Sequence, residues 1–138
     1  MNSIILDTNS YSFFTSKDTK IKKEIQKADI VYLPLIVIGE LYSGFYRGNK
    51  FENNESELKS FLSDKKVRIL GLTKITSKIY GKILHDLVMN GTPITANDVW
   101  IAASAIETNS TLITYDKHFL NISTPKGIGN LKLWDRIK

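Results

Sequence analysis

Apolar positions along this chain follow two rhythms. Ile4-Ile5-Leu6, Ile30 to Leu33, Val67 to Leu72 and Thr111 to Tyr115 are short apolar runs bounded by polar or turn-forming residues, and each reads as a strand. Between them the spacing turns helical. Ile21, Ile25 and Ala28 share one face of a helix over Thr19 to Ala28, with Asp18 placed as its N-cap. Pro34 suits the first turn of a helix that carries Leu35, Ile38, Leu41, Tyr42 and Phe45 and ends at Gly48-Asn49. Ile75, Ile79, Ile83, Leu87 and Val88 lie in a helix from Thr73 to Asn90, closed by Gly91. Thr95 opens another, through Trp100, Ile101, Ala105 and Ile106, and Asn109-Ser110 breaks it.

The weaker segments give shorter expectations. Tyr11 to Phe14 reads as a short helix, and Leu58, Phe61 and Leu62 mark one that stops near Asp64. Phe51 to Asn54 reads as a loop, as does Asn121 to Asn130 with Pro125, Gly127 and Gly129. Leu131 to Trp134 suits a short edge strand. Strands alternating with helices predict an α/β fold with a parallel sheet between helices. With no internal repeat or linker, residues 1–138 are expected to form one domain.

Composition narrows the chemistry. The chain has no cysteine, which excludes a disulfide framework, a cysteine-bound zinc and a thiol nucleophile. Together with the lack of a signal-like N-terminus or a long apolar run, this sets the expectation of a cytoplasmic protein without a membrane segment. Nineteen Lys and Arg against 14 Asp and Glu give a net charge of +5, and a basic surface suits a polyanion as well as simple solubility. The cations cluster at Lys17 to Lys27, at Lys65, Lys66 and Arg68, and at Lys74, Lys78 and Lys82.

Several acids, in contrast, sit in apolar surroundings. Asp7 follows the first strand and Asp116 the fourth, so in a parallel sheet both lie at carboxyl ends, the edge where such folds bind ligands. Glu40 lies beside the apolar stripe of its helix, and Asp98 sits in a first turn with Ile101, Ala102 and Ala105 following on its face. Each has a structural alternative: a turn or N-cap for Asp7, a turn for Asp116, a boundary position for Glu40, a capping box with Thr95 for Asp98. Together they describe a carboxylate cluster. Two such charges about 4 Å apart repel by about 4 kcal/mol at an effective dielectric near 20. A divalent cation would relieve that, and an all-oxygen set suits Mg²⁺ or Mn²⁺ rather than zinc.

Four stretches carry a resemblance: Ile5-Leu6-Asp7-Thr8-Asn9, Ile38-Gly39-Glu40-Leu41 with Gly44, Thr92-Pro93-Ile94 leading into Asn97-Asp98-Val99-Trp100-Ile101-Ala102-Ala103, and Leu112-Ile113-Thr114-Tyr115-Asp116 with Phe119. In order and spread they resemble the PIN-domain ribonucleases, most closely the VapC-type toxins of toxin–antitoxin pairs. The resemblance implies a single PIN-like domain, three layers α/β/α around a mostly parallel five-stranded sheet. It implies a Mg²⁺-dependent endoribonuclease whose acids are Asp7, Glu40, Asp98 and Asp116, with Asp7, Asp98 and Asp116 toward the metal and Asn9 and Thr114 supporting the pocket. An activated water would attack a phosphodiester and leave a 3′-hydroxyl. A protein antitoxin that blocks the site and a homodimer are implied as well, with early aromatic helices (Tyr11, Phe13, Phe14, Tyr42, Phe45) as their meeting surface or as ordinary core.

Of the two histidines, His118 is a candidate for substrate contact and His85 a surface residue of its helix. Trp100 and Trp134 read as core or interface. Rival classes fit less well. A phosphatase of the haloacid-dehalogenase type needs an acid where Asn9 stands, a receiver domain needs an acid pair at the first strand, and no phosphate-binding Gly-Lys-Ser/Thr turn exists. A catalytically inactive RNA-binding scaffold on the same fold remains the alternative.

Overall fold

Residues that expose neither face to water need apolar side chains on both, and β1 (Ser3–Leu6) supplies them: Ile4, Ile5 and Leu6 are all buried. The computed structural model describes residues 1–122 and 129–137. In chain order the elements are β1, α1 (Thr8–Thr15), α2 (Thr19–Lys27), β2 (Ile30–Pro34), α3 (Leu35–Arg47), α4 (Phe51–Leu62), β3 (Val67–Leu70), α5 (Lys74–Asn90), α6 (Ala96–Thr108), β4 (Thr111–Ile113) and β5 (Lys132–Leu133). Short 3₁₀ turns at Lys117–Asn121 and Asp135–Ile137 flank β5 in sequence.

The five strands run in the order β3-β2-β1-β4-β5 and every adjacent pair is parallel. The chain steps outward from β1 through β2 to β3, then crosses back to β4. Right-handed crossovers put the helices of these opposite steps on opposite faces, giving three layers, α/β/α. The strand order reverses between β1 and β4. Their registers, Ile5 with Leu112 and Leu6 with Ile113, bring the two strands to the carboxyl edge level. A crevice outside that edge is where such sheets bind ligands.

Local sequence sets most element ends. Asp18 caps α2 by accepting from the Ile21 amide at 2.9 Å. Thr73 and Thr76 form a reciprocal capping box on α5. Gly91 and Asn109 close α5 and α6 in the left-handed region, at φ of 67° and 53°. Lys66 is spent on structure: its ammonium donates to the Ile25 carbonyl at 2.6 Å, neutralising the end of α2.

Several boundaries differ from the sequence reading. Helix α1 begins at Thr8, ahead of Tyr11, because Asp7 caps it. Phe51 to Asn54 is the first turn of α4, not a loop. Phe51 joins Tyr42, Phe45 and Tyr46 in an aromatic cluster, with ring centroids 4.6 to 6.3 Å from its own. That tertiary packing outweighs the polar composition of the turn. β3 ends at Leu70 and β4 at Ile113, where Thr114 leaves the sheet to bond a side chain. Asn121 ends a 3₁₀ turn, while Pro125 and Gly127 of the expected loop lie outside the described residues.

Candidate active site

Asp7 is the first residue beyond the central strand, and it is 5% exposed. Its Oδ1 accepts from the Ser10 amide at 2.9 Å, which caps α1, and its Oδ2 accepts from the Thr114 hydroxyl at 2.5 Å. The capping role that competed with a functional one is therefore real, and it fixes the carboxylate in place. Thr114 is fully buried and works in two directions: its Oγ1 also accepts from the Asp116 amide at 2.9 Å. One hydroxyl thus ties the end of β1 to the turn that carries Asp116. The Ser10 hydroxyl adds a bond to the Ile113 carbonyl at 2.7 Å.

The other acids arrive from three elements. Glu40, half-buried on α3, accepts from the Thr8 hydroxyl at 2.6 Å through Oε1, and among the described residues its Oε2 has no hydrogen-bond partner. Asp98 lies half-buried in the first turn of α6, its amide donating to the Thr95 hydroxyl at 3.2 Å. Asp116 caps the turn at Lys117–Asn121 and its Oδ1 meets His118 Nδ1 at 2.7 Å. His118 itself is exposed.

These groups share one field. Burial pushes the Asp7 carboxyl above its ordinary pKa; bonds from Thr114 and Ser10 oppose the rise and the charge of Asp116 adds to it. Burial likewise raises Asp98, a bond to Thr95 opposes, and the charges of Asp116, Asp7 and Glu40 all push further upward. Asp116, Asp7 and Glu40 are thus near enough to disfavour the ionised form of Asp98, and Asp116 near enough to disfavour that of Asp7. Among the described residues none of them pairs with a lysine or arginine; His118 on Asp116 is the one basic partner.

That donor set fits a hard divalent cation in chemistry and charge: all oxygen, crowded with like charge, and unpaired by lysine or arginine among the described residues. The side chains do not yet close on a point. Glu40 is turned to Thr8 and Asp116 to His118, and among the described residues no three Asp, Glu or His groups converge as ligands of one ion.

Of the residues singled out by sequence, Asp7, Thr114 and Asp116 are joined by direct hydrogen bonds. Glu40 and Asp98 enter their field from α3 and α6. Asn9 is exposed on α1 and lines a cleft that also contains Glu40. His85 is exposed on α5. Trp134 is buried, and Trp100 stacks on Tyr80 at 3.9 Å. The sequence reading missed Thr8, which holds Glu40, and Ser10, which joins α1 to β4. Both stand within three residues of Asp7, the only local signal they carry.

Residues 4–124 match the family model described as PIN domain. The chain is 34% identical over 114 residues to Ribonuclease VapC2 of Rickettsia felis, covering 81% of this chain and 80% of that one. The structure of VapBC2 from Rickettsia felis bound to a DNA fragment from their promoter superimposes with a TM-score of 0.80 at 28% identity, covering 96% of this chain and 99% of the other. The structure of VapBC-1 from nontypeable Haemophilus influenzae does so with a TM-score of 0.81 at 26% identity, covering 99% of each.

Proposed function

We propose, because this chain belongs to the PIN-domain family, that it is a VapC-type endoribonuclease and the toxin of a toxin–antitoxin pair. The observation that carries this is the mutual charge of Asp7, Glu40, Asp98 and Asp116 at the switch point of the sheet, unpaired by any lysine or arginine among the described residues. The whole chain, residues 1–138, acts as one nuclease domain in this reading. All four acids are retained, which disfavours the inactive-scaffold alternative.

Asp7, Asp98 and Asp116 would hold Mg²⁺, with Mn²⁺ as a substitute of the same ligand preference. Such an ion, when bound, acidifies water and offsets charge on a phosphoryl oxygen. The protein's own part is positional. Thr114 and Ser10 fix both oxygens of Asp7 before substrate arrives. Thr8 holds Glu40 by Oε1, which leaves Oε2 to take the proton of the attacking water. His118, steadied by Asp116, contacts the RNA strand from the rim, and Asn9 lines the approach. Attack on a phosphodiester would leave a 3′-hydroxyl.

A protein antitoxin covering the acids is part of the reading, supported by the VapBC assemblies to which the chain is similar. Exposed Leu35, Ile69, Leu72 and Ile75, around the β3 edge and the starts of α3 and α5, support a homodimer. No helix among the described residues is long and apolar enough to cross a membrane.

The decisive test is cleavage of RNA by purified protein. Wild type should cut with Mg²⁺ or Mn²⁺ and stop with chelator, and Asp7→Asn should be inactive while its circular dichroism is unchanged. Full activity of Asp7→Asn with Mg²⁺ present would overturn the site assignment.

A further inference from the structure

Helix α3 carries more than Glu40 toward the acids. Seven residues on, about 10 Å along the axis and on nearly the same face, stands Arg47. It is exposed, its Nη1 donates to the Ser43 hydroxyl at 2.8 Å, and among the described residues no carboxylate pairs with it. Two clefts flank this edge of α3, and both contain Glu40 and Arg47. The one between α1, α3 and α4, of about 390 Å³, falls in the size range of small-ligand sites.

We propose that this cleft is a nucleotide subsite, in which Arg47 holds a phosphate neighbouring the scissile one and Asn9, Ser12 and Asn54 face the attached base. The proposal rests on the nuclease reading, and in it a strand with one phosphate at the acids continues along this edge.

Four observations carry it. A guanidinium with N–H groups to spare is suited to bidentate phosphate binding. The helix surface between Glu40 and Arg47 is low. A Cβ built on Gly44 meets only Arg47 Nη2 at 3.9 Å. Packing therefore does not require this glycine, though it costs the helix about 1 kcal/mol relative to alanine. Tyr11 forms part of the cleft wall at 2% exposure, and its buried hydroxyl has no partner among the described residues. A hydroxyl so placed lacks a bond that a water drawn into the wall can supply. Finally, polarity is graded: Arg47 marks a phosphate end, while the carboxylate of Glu57 on α4 disfavours a second phosphate and suits the amino group of a base. Leu41 and Phe45 give the cleft an apolar side, and the amides and hydroxyls of Asn9, Ser12 and Asn54 match a base edge.

The test uses full-length protein and a single-stranded RNA oligonucleotide spanning a cleavage site mapped on total RNA. Arg47→Ala should raise KM about tenfold, the worth of one charge-assisted contact, with kcat within about twofold of wild type. It should also flatten the dependence of log(kcat/KM) on log salt by about 0.7, one single-strand phosphate. Arg47→Lys should restore the salt slope but only part of KM, because a point charge lacks the fork. Unchanged KM and slope in Arg47→Ala, with wild type active, would overturn the subsite and leave the nuclease reading intact. An inactive wild type would overturn the nuclease reading itself. If Arg47→Ala spares RNA kinetics but loosens the cognate antitoxin, the cleft belongs to the protein partner and the subsite is overturned.

Discussion

Thr114 shows how much one small side chain can hold. It donates to Asp7 and accepts from the Asp116 amide while fully buried. Thr114→Val keeps the shape and removes both bonds. It should cost about 1 to 3 kcal/mol of stability, because a buried carboxylate oxygen and an amide lose their partner. Cleavage should fall about 10- to 100-fold, as when the support of a ligating carboxylate is removed. Denaturant melts and initial rates measure the two effects. Asp98 predicts the opposite sign for stability. Its pKa is raised in the fold by burial and by three neighbouring acids. The wild-type carboxyl therefore contributes most below its unfolded pKa of about 3.9, and that contribution is lost as pH rises through the higher folded value. Asp98→Asn should melt higher than wild type at pH 7 without divalent cation, and the gain should vanish near pH 3. Equal melting points at pH 7 would mean that the acids do not repel as described. Function keeps a charge that stability alone would discard.

At the scale of elements, the site depends on how α6 is seated. Asp98 sits at its N-terminus, and its C-terminal half docks on α5 through Glu107, which accepts from the hydroxyls of Thr73 and Thr76. The Thr73–Thr76 capping box is thus doubled as a helix–helix tie, and Tyr80 stacked on Trp100 secures the other end. Glu107→Ala should destabilise the protein by about 1 kcal/mol, since Thr76 is fully buried but keeps Thr73 as a second partner. A midpoint shift in urea reports it; no shift would show that the tie is dispensable. The helical rhythm of α5 and α6 was legible from their apolar spacing. The Glu107 tie was not, because it joins residues 31 and 34 positions apart. The start of α4 was misread for a related reason: its first turn is polar locally, and the aromatic neighbours that hold Phe51 belong to α3.

For the whole molecule, a net charge of +5 surrounds a site made of carboxylates. RNA should be drawn by the surface and tolerated at the pocket only with a cation in place. Binding of single-stranded RNA to Asp7→Asn, expected to be inactive, should weaken steeply between 50 and 200 mM salt, as counterion release requires; a flat response in a filter or anisotropy assay would remove the basic surface as the RNA track. Lys66 shows that not every lysine counts toward that surface, since it is bound to the end of α2. Sequence alone determined the alternation of strand and helix, and hence a parallel α/β sheet, because periods of two kinds and their caps are written locally. It also placed Asp7 directly after a strand and Asp116 in the segment that follows another. What only the tertiary structure decided was the strand order, the crossing back from β3 to β4 that makes β1 and β4 neighbours, and the bonds through Thr114, Thr8 and Ser10 that set the acids in place. Those depend on contacts between residues up to 107 positions apart, which no local pattern encodes. Asp7 and Asp116 could be read as strand-end acids from their own neighbours; that they share a field with Glu40 and Asp98 follows from how the sheet and α3 and α6 come together.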